Sequence, residues 1–175
     1  NKISYYEAAL IRVFCATGRR PIQIAGLKVK DLYETDKYKS KDEKKIHVLN
    51  IPKAKIRGAS GFRYAFREVG IRESIVQILF EHTRILKQKL SKEIKREISE
   101  QEFAELPLFY DFEKLVNLDW ENRHEISEIL PKEIIHLPTA ELTQILKGAV
   151  RKLGVRSRET GKPIFVTSYR FRYTL

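Results

Sequence analysis

The feature that most constrains this chain is the joint between two apolar segments at residues 16–32, ATGRRPIQIAGLKVKDL. Gly18 follows an apolar run of helical spacing, where a helix C-terminus favours a residue that tolerates positive φ. Pro21 stands where a following helix would begin, because a proline loses no hydrogen bond there. Arg20 is therefore predicted to lie at a rigid corner, a suitable place for a guanidinium that binds phosphate with two hydrogen bonds. Taken alone, the stretch favours an ordinary helical corner with solvent-facing arginines.

The net charge of the chain indicates which kind of molecule it binds. A net charge of +11, from 34 basic and 23 acidic side chains, predicts a polyanionic partner. No apolar run approaches the length of a membrane span, so no membrane partner is expected. The single cysteine, Cys15, excludes a disulfide framework and a cysteine-based metal site. The simplest location is a reducing cytoplasm.

The first half of the chain predicts helices around a small sheet. A capping box at residues 4–7 opens a helix that ends at Gly18, and a short helix follows from Pro21 to about Leu27. Residues 29–33 are predicted as a short strand, 34–45 as a loop, 46–51 and 62–69 as strands, and 71–95 as an amphipathic helix. The connection between the two longer strands is basic and contains glycine, which is typical of a hairpin loop.

The second half is predicted to be helical with irregular connections. A capping pattern at residues 99–102 opens a short helix, and residues 111–138 carry no clear pattern. Thr139 is predicted to cap a helix that ends at Gly154, and residues 156–163 are predicted as a polar loop. Thr167 or Ser168 is predicted to cap a last helix. The expected fold class is mainly α with a small antiparallel β-sheet, an α+β fold.

A second arginine motif lies near the end of the sequence, TSYRFRYTL at residues 167–175. Its presence favours a functional interpretation of the first stretch over an ordinary helical corner. Together the two resemble the tyrosine recombinases, the phage integrase family. The first family motif has the form Thr-Gly-x-Arg-x-x-Glu-Leu-x-x-Leu-x-x-x-Asp, and the second has the form His-x-Leu-Arg-His-Thr. The matching residues are Thr17, Gly18, Arg20, Leu27 and Asp31 in the first, and Phe171, Arg172 and Thr174 in the second.

The resemblance implies a catalytic domain for site-specific DNA recombination or integration, as in phages and mobile elements. Its two arginines, Arg20 and Arg172, would stabilise the charge that develops on the scissile phosphate. A lysine on the strand-connecting loop would protonate the departing 5′ oxygen. Lys53 and Lys55 both lie there; Lys55 fits the family pattern better, although either lysine singly could equally contact only the DNA backbone. Four more basic residues are predicted to contact DNA: Arg19, Lys53, Arg57 and Arg170.

Three departures from the family pattern concern the mechanism. Tyr169 occupies the place of the first motif-two histidine; a tyrosine can donate a hydrogen bond to phosphate, but its pKa near ~10 makes it a poor proton shuttle. Tyr173 replaces the second histidine, and Gln23 replaces the usual glutamate. The nucleophilic tyrosine of the family lies after the second motif. We therefore expect residues 1–175 to be one catalytic-domain fragment, without its C-terminal part and inactive alone.

The resemblance also implies duplex DNA as partner and a homo-oligomer, a tetramer, for the full-length protein. Phosphate-cradling glycine loops and metal-ligand spacing are absent from the sequence, so neither ATP nor metal is expected as cofactor. His82 falls on an apolar helical stripe and is interpreted as a core histidine, and Asp31 as structural. Two alternatives remain: a non-catalytic DNA-binding protein that kept this fold, and, with less support, a basic RNA-binding domain.

Overall fold

The computed structural model describes residues 3–39, 45–53, 63, 65–167 and 171. Three strands, β1 (Leu32–Lys39), β2 (Lys45–Pro52) and β3 (Phe66–Gly70), form an antiparallel sheet in that order. The α+β class, with a small antiparallel sheet among helices, is confirmed. The helices are α1 (Tyr5–Thr17), α2 (Pro21–Ala25), α3 (Glu73–Glu93), α4 (Glu100–Glu105), α5 (Phe112–Val116), α6 (Arg123–Ile129) and α7 (Thr139–Leu153).

The predicted ends of α1 are confirmed. Ser4 and Glu7 form the capping box that opens α1, with Glu7 N donating to Ser4 Oγ at 3.2 Å. Gly18 ends the helix in the left-handed conformation at φ 56°, and its N–H donates to Phe14 O at 3.0 Å. The second helix begins at Pro21 as predicted and ends two residues earlier than predicted, at Ala25.

Two predictions in the region that follows α2 are wrong. Residues 29–31 form a 3-10 helix and the strand begins only at Leu32, because the Asp31 carboxylate accepts the Lys28 N–H at 2.7 Å and turns the chain. The predicted loop from residue 34 is strand β1 as far as Lys39. Polar side chains are tolerated there because β1 is an edge strand of the sheet. The predicted strand at 62–69 begins at Phe66.

The later helices follow the sequence pattern with small differences. The amphipathic α3 and the capping box of α4 are confirmed. Thr139 is the first residue of α7 rather than its cap, and Gly154 ends α7 as predicted. Residues 111–138, which carry no clear pattern, contain α5 and α6, capped by Asp111 and Asn122. Among the described residues, none of the helices has both the length and the apolar character that crossing a membrane requires.

The buried side chains form two hydrophobic clusters. The first cluster lies between α1, α2, the sheet, the first half of α3 and α7, and includes Leu10, Phe14, Leu49, Leu79 and Leu146. The second cluster lies under the second half of α3 and α4–α6, and includes Leu86, Leu90, Leu115, Trp120 and Ile126. His82, predicted as a core histidine, is buried beside the first cluster with Nε2 2.7 Å from Leu108 O.

Candidate functional site

The corner between α1 and α2 carries the first predicted site residue. Arg20 is the N-cap residue of α2, with extended backbone angles of φ −70° and ψ 148°. Its carbonyl accepts the N–H groups of Gln23 at 2.9 Å and Ile24 at 3.2 Å. Arg19 and Arg20 are both partly exposed. The main chain at Arg20 is therefore fixed by the helix that it opens, while its side chain remains accessible to a ligand.

Gln23 ties this corner to the end of β2. Its Oε1 accepts the Arg20 N–H at 3.2 Å, and its Nε2 donates to Pro52 O at 2.7 Å. A glutamate at this position would make the first bond but, when ionised, has no hydrogen to donate in the second. The departure from the family glutamate thus has a structural consequence: the amide joins α2 to the residue that directly precedes Lys53.

Lys53 is the second predicted residue that the structure describes. It is exposed, and its main-chain N–H donates to Ala65 O at 2.8 Å, so it begins the connection between β2 and β3. The Gln23 bridge to Pro52 therefore links α2, which Arg20 opens, to the residue next to Lys53.

Phe171, a described residue of the second motif, packs against α1. The sequence places it between Arg170 and Arg172, and its ring packs against Phe14 with the ring centroids 5.8 Å apart. Phe14 lies in the last turn of α1, where its carbonyl accepts the Gly18 N–H. Phe171 is thus in contact with the last turn of α1, and the end of β2 is in contact with α2. The remaining predicted site residues lie outside the described residues: Lys55, Arg57, Tyr169, Arg170 and Arg172.

Arg63 is a residue that sequence reasoning missed. Its Nη1 and Nη2 donate to Asp31 Oδ2 at 2.7 Å and Oδ1 at 2.9 Å, and Nη1 also donates to Gly26 O. Its main-chain N–H donates to Glu133 Oε1 at 3.1 Å. The side chains of Arg63 and Asp31 are only 12% and 4% exposed. The one signal in the sequence is Asp31 itself, an acid next to apolar residues that needs a cation when buried.

A second buried cation lies beside this pair. Lys28 Nζ donates to Glu105 Oε2 at 2.7 Å and to Leu130 O at 2.8 Å, and the side chain is 1% exposed. Burial lowers the pKa of the Lys28 ammonium, and the hydrogen bond to Glu105 opposes that shift. These contacts connect the residues after α2 to α4 and to the end of α6, so they join the two clusters.

His136 is a further buried polar residue near Lys28 and the Arg63–Asp31 pair, and these four residues are here called the polar layer. Its Nδ1 lies 2.7 Å from Ala25 O, and the residue is 7% exposed. Burial lowers the pKa of His136 to about 4, and the nearby positive charges of Lys28 and Arg63 act in the same direction. His136 is therefore neutral at pH 7. Among the described residues, His, Cys, Asp and Glu side chains form no group of three that is able to hold a metal ion.

The charge of the chain is unevenly distributed along the sequence. Residues 97–138, here called the acidic segment, carry 11 acidic side chains and three basic ones, whereas the rest of the chain carries 12 acidic and 31 basic ones. The acidic segment covers most of the second cluster, and the Arg20 corner lies on the first. The second half of α3, which also packs on the second cluster, carries basic residues such as Lys87, Lys89 and Lys92, so the uneven charge belongs to the acidic segment and not to the whole surface of that cluster.

Comparisons with known proteins add no family to this description. No family model matches the chain, and the search of curated proteins found no significant match.

Proposed function

We propose that this chain is the DNA-binding catalytic domain of a tyrosine-type site-specific recombinase. The observations that support the proposal are two contacts of α1 and α2, the helices on either side of Arg20: Gln23 with Pro52, which directly precedes Lys53, and Phe14 with Phe171 of the second motif. The resemblance gives each segment one part of a phosphoryl-transfer site. The two contacts join the helices beside Arg20 to the two other segments that the resemblance assigns to the site.

The proposed chemistry follows from these parts. Arg20 and Arg172 hold the two non-bridging oxygens of the scissile phosphate and stabilise their charge in the transition state. The expected nucleophilic tyrosine loses its hydroxyl proton to water as it attacks phosphorus, the bond from phosphorus to the 5′ oxygen breaks, and a lysine of the β2–β3 connection gives that oxygen a proton. The product is a 3′-phosphotyrosine and a free 5′ hydroxyl. The reverse reaction with another 5′ hydroxyl rejoins the strand.

The test uses a protein extended through the expected nucleophile and a nicked DNA substrate that traps the covalent product. We expect a protein–DNA adduct that survives denaturation. Arg20→Ala should lower the rate of adduct formation by about 10²-fold or more, as loss of one preorganised charge-stabilising donor does. Arg123→Ala, an exposed arginine of the acidic segment, is the matched control and should leave the rate unchanged.

The second candidate is a non-catalytic DNA-binding protein with the same fold. Gln23 and Tyr169, which depart from the family pattern, favour it. In that case the extended protein binds duplex DNA with the salt dependence of phosphate contacts and forms no adduct. Duplex binding that RNA displaces at equal concentration would favour an RNA-binding domain over both.

A further inference from the structure

An exposed apolar surface lies at the end of α7 and in the segment that follows it. Of the seven large apolar side chains that are exposed among the described residues, three belong to this short part of the chain: Leu153, Val155 and Phe165. Phe165 is 70% exposed, more than any of the others. Its ring makes no aromatic contact with another described residue, whereas the exposed Phe80 meets the His47 ring with 5.6 Å between the centroids. Single exposed apolar residues are ordinary on a protein surface, but three in one short segment indicate contact with a partner.

The segment that carries Phe165 is held in place by its own hydrogen bonds. Ile164 N donates to Val155 O at 2.9 Å. Gly161, at φ 66°, turns the chain between them, and its N–H donates to Ser157 O at 2.9 Å. The chain thus forms a small hairpin directly before Phe165. Because this hairpin is already formed, little main-chain freedom is lost when the ring meets a ligand.

Positive charges lie beside the Phe165 ring. Residues 147–167 carry six basic side chains and one acidic one. Lys147 and Arg151, one turn apart on α7, line a depression of about 190 Å³ together with residues 164–167, so the two cations and the ring share one concave surface. A partner for this surface must be negatively charged and must also offer flat apolar faces. Nucleic acid combines both properties, because its phosphates are anionic and each of its bases has a π face.

An unpaired base fits this surface better than a regular duplex does. The bases of a duplex are stacked on one another, so an exposed ring meets a base face only where a base is unstacked. The proposed function supplies such bases, because a cut strand that is joined to another 5′ hydroxyl must part from its complement. Phe165 lies six residues before Phe171, and six residues of extended chain span at most about 22 Å. With about 3.4 Å between adjacent base pairs, the ring lies within about six base pairs of Phe171.

We propose that Phe165 stacks on an unpaired base of the bound DNA, while Lys147 and Arg151 hold the phosphates beside that base. The inference rests on the proposed function for DNA as the ligand, and it adds a contact with a base to the contacts with phosphate described above. Because every base has a π face, the contact tolerates any sequence at this position.

The experiment compares two single-stranded oligonucleotides of equal length. One is a run of thymidines, and the other has the same phosphates on abasic sugars, so only the first offers bases. Fluorescence anisotropy measures both dissociation constants. Phe165→Ala should weaken binding to the thymidine strand about 10-fold or more and binding to the abasic strand less than about 2-fold. Phe165→Trp should keep the thymidine affinity because an indole also stacks, whereas Phe165→Leu, which is apolar without a ring, should behave like Phe165→Ala.

Two further sets of variants separate stacking from charge. Phe80→Ala removes another exposed phenylalanine, which lies beside His47 rather than beside cations, and should change neither affinity. Lys147→Ala or Arg151→Ala should weaken binding to both strands alike and reduce the magnitude of the slope of log K against log salt by about 0.7 each. The abasic strand therefore reports the phosphate contacts alone, and the thymidine strand reports both kinds of contact.

Each outcome decides between the two claims. If Phe165→Ala weakens both strands equally or neither, or if Phe165→Leu binds the thymidine strand as tightly as wild type does, Phe165 does not stack on a base and the inference is wrong. Adduct formation by the extended protein then still upholds the proposed function. If Phe165→Ala loses binding to phosphatidylserine vesicles and keeps the thymidine affinity, the surface meets an anionic membrane and the inference is overturned. If wild-type protein binds neither single strand nor duplex and forms no adduct, the proposed function fails and the inference fails with it.

Discussion

Each cluster has an arginine–carboxylate pair with two hydrogen bonds beside it, and the two pairs are built differently. Arg96 and Glu102, beside the second cluster, are six residues apart, and their side chains are 25% and 17% exposed. Arg63 and Asp31, beside the first, are 32 residues apart and almost completely buried. The Arg96 guanidinium beside Glu102 holds the pKa of that carboxyl at about 2. The local pair stabilises one loop, whereas the distant pair fixes how α2 and the sheet meet.

The two clusters also differ in the segments that surround them. The acidic segment supplies most of the buried residues of the second cluster. The first cluster supports α1 and α2 on either side of Arg20, with Pro52 bound by Gln23 and Phe171 packed on Phe14. The difference predicts that changes in the second cluster alter folding without altering DNA affinity, and that changes at the corner do the reverse.

The largest expected effect tests the second cluster. Trp120 is 4% exposed, and its Nε1 donates to Leu115 O at 2.7 Å. Trp120→Ala should lower the free energy of unfolding by about 3–5 kcal/mol, because it opens a cavity and removes the indole hydrogen bond to Leu115 O. Denaturant unfolding measures the loss, with Trp120→Phe as a milder control. A tenfold loss of duplex affinity by the folded variant would contradict the separation of roles.

The next largest expected effect is the pH dependence of stability, which tests the polar layer between the clusters. The pKa of His136 is about 4 in the folded protein, against about 6.5 in an unfolded chain. Because the unfolded chain binds the proton more tightly, the contribution to stability is complete above about pH 6.5 and is lost as pH falls towards 4. Between pH 7 and pH 4, wild type should lose about 3 kcal/mol more than His136→Asn. Urea unfolding at both pH values measures this difference, and equal losses would contradict it.

The smallest effect tests which surface meets DNA. If about six basic side chains neutralise phosphates, log K should fall against log salt with a slope of roughly −5. Lys53→Ala should reduce the magnitude of that slope by about 0.9, whereas Lys114→Ala, in the acidic segment, should leave it unchanged. Fluorescence anisotropy with a short duplex measures both. Equal changes for the two lysines would show that DNA does not distinguish the two sides of the molecule.

Much of the fold could be predicted because its signals are local. The capping box at Ser4, the left-handed Gly18 and Pro21 at the start of α2 each depend on residues within one helical turn. Strand β1 was missed because an edge strand tolerates charged residues that resemble a loop. Helices α5 and α6 were missed because they are too short to show a helical period and have neither the capping box that opens the equally short α4 nor the proline that opens α2.

The candidate site could be predicted only in part, because only its local signals are recognisable in a single sequence. Arg20 and Lys53 stand in recognisable local settings, and a family motif names them. Gln23 as a bridge to Pro52, and Arg63 as the partner of Asp31, depend on contacts between residues about 30 positions apart. No periodicity or motif in one sequence encodes such a pairing. It becomes visible only when the sheet is placed against α2.

The most direct test of the central claim is a structure of this chain bound to duplex DNA. The quantity to measure is the distance from the guanidinium nitrogens of Arg20 and Arg172 to the non-bridging oxygens of the phosphates. The account predicts that both arginines hold the same phosphate, with nitrogen–oxygen distances of about 2.8 Å. Arginines that contact different phosphates, or face different surfaces, would contradict it and leave a basic α+β domain without a phosphoryl-transfer site.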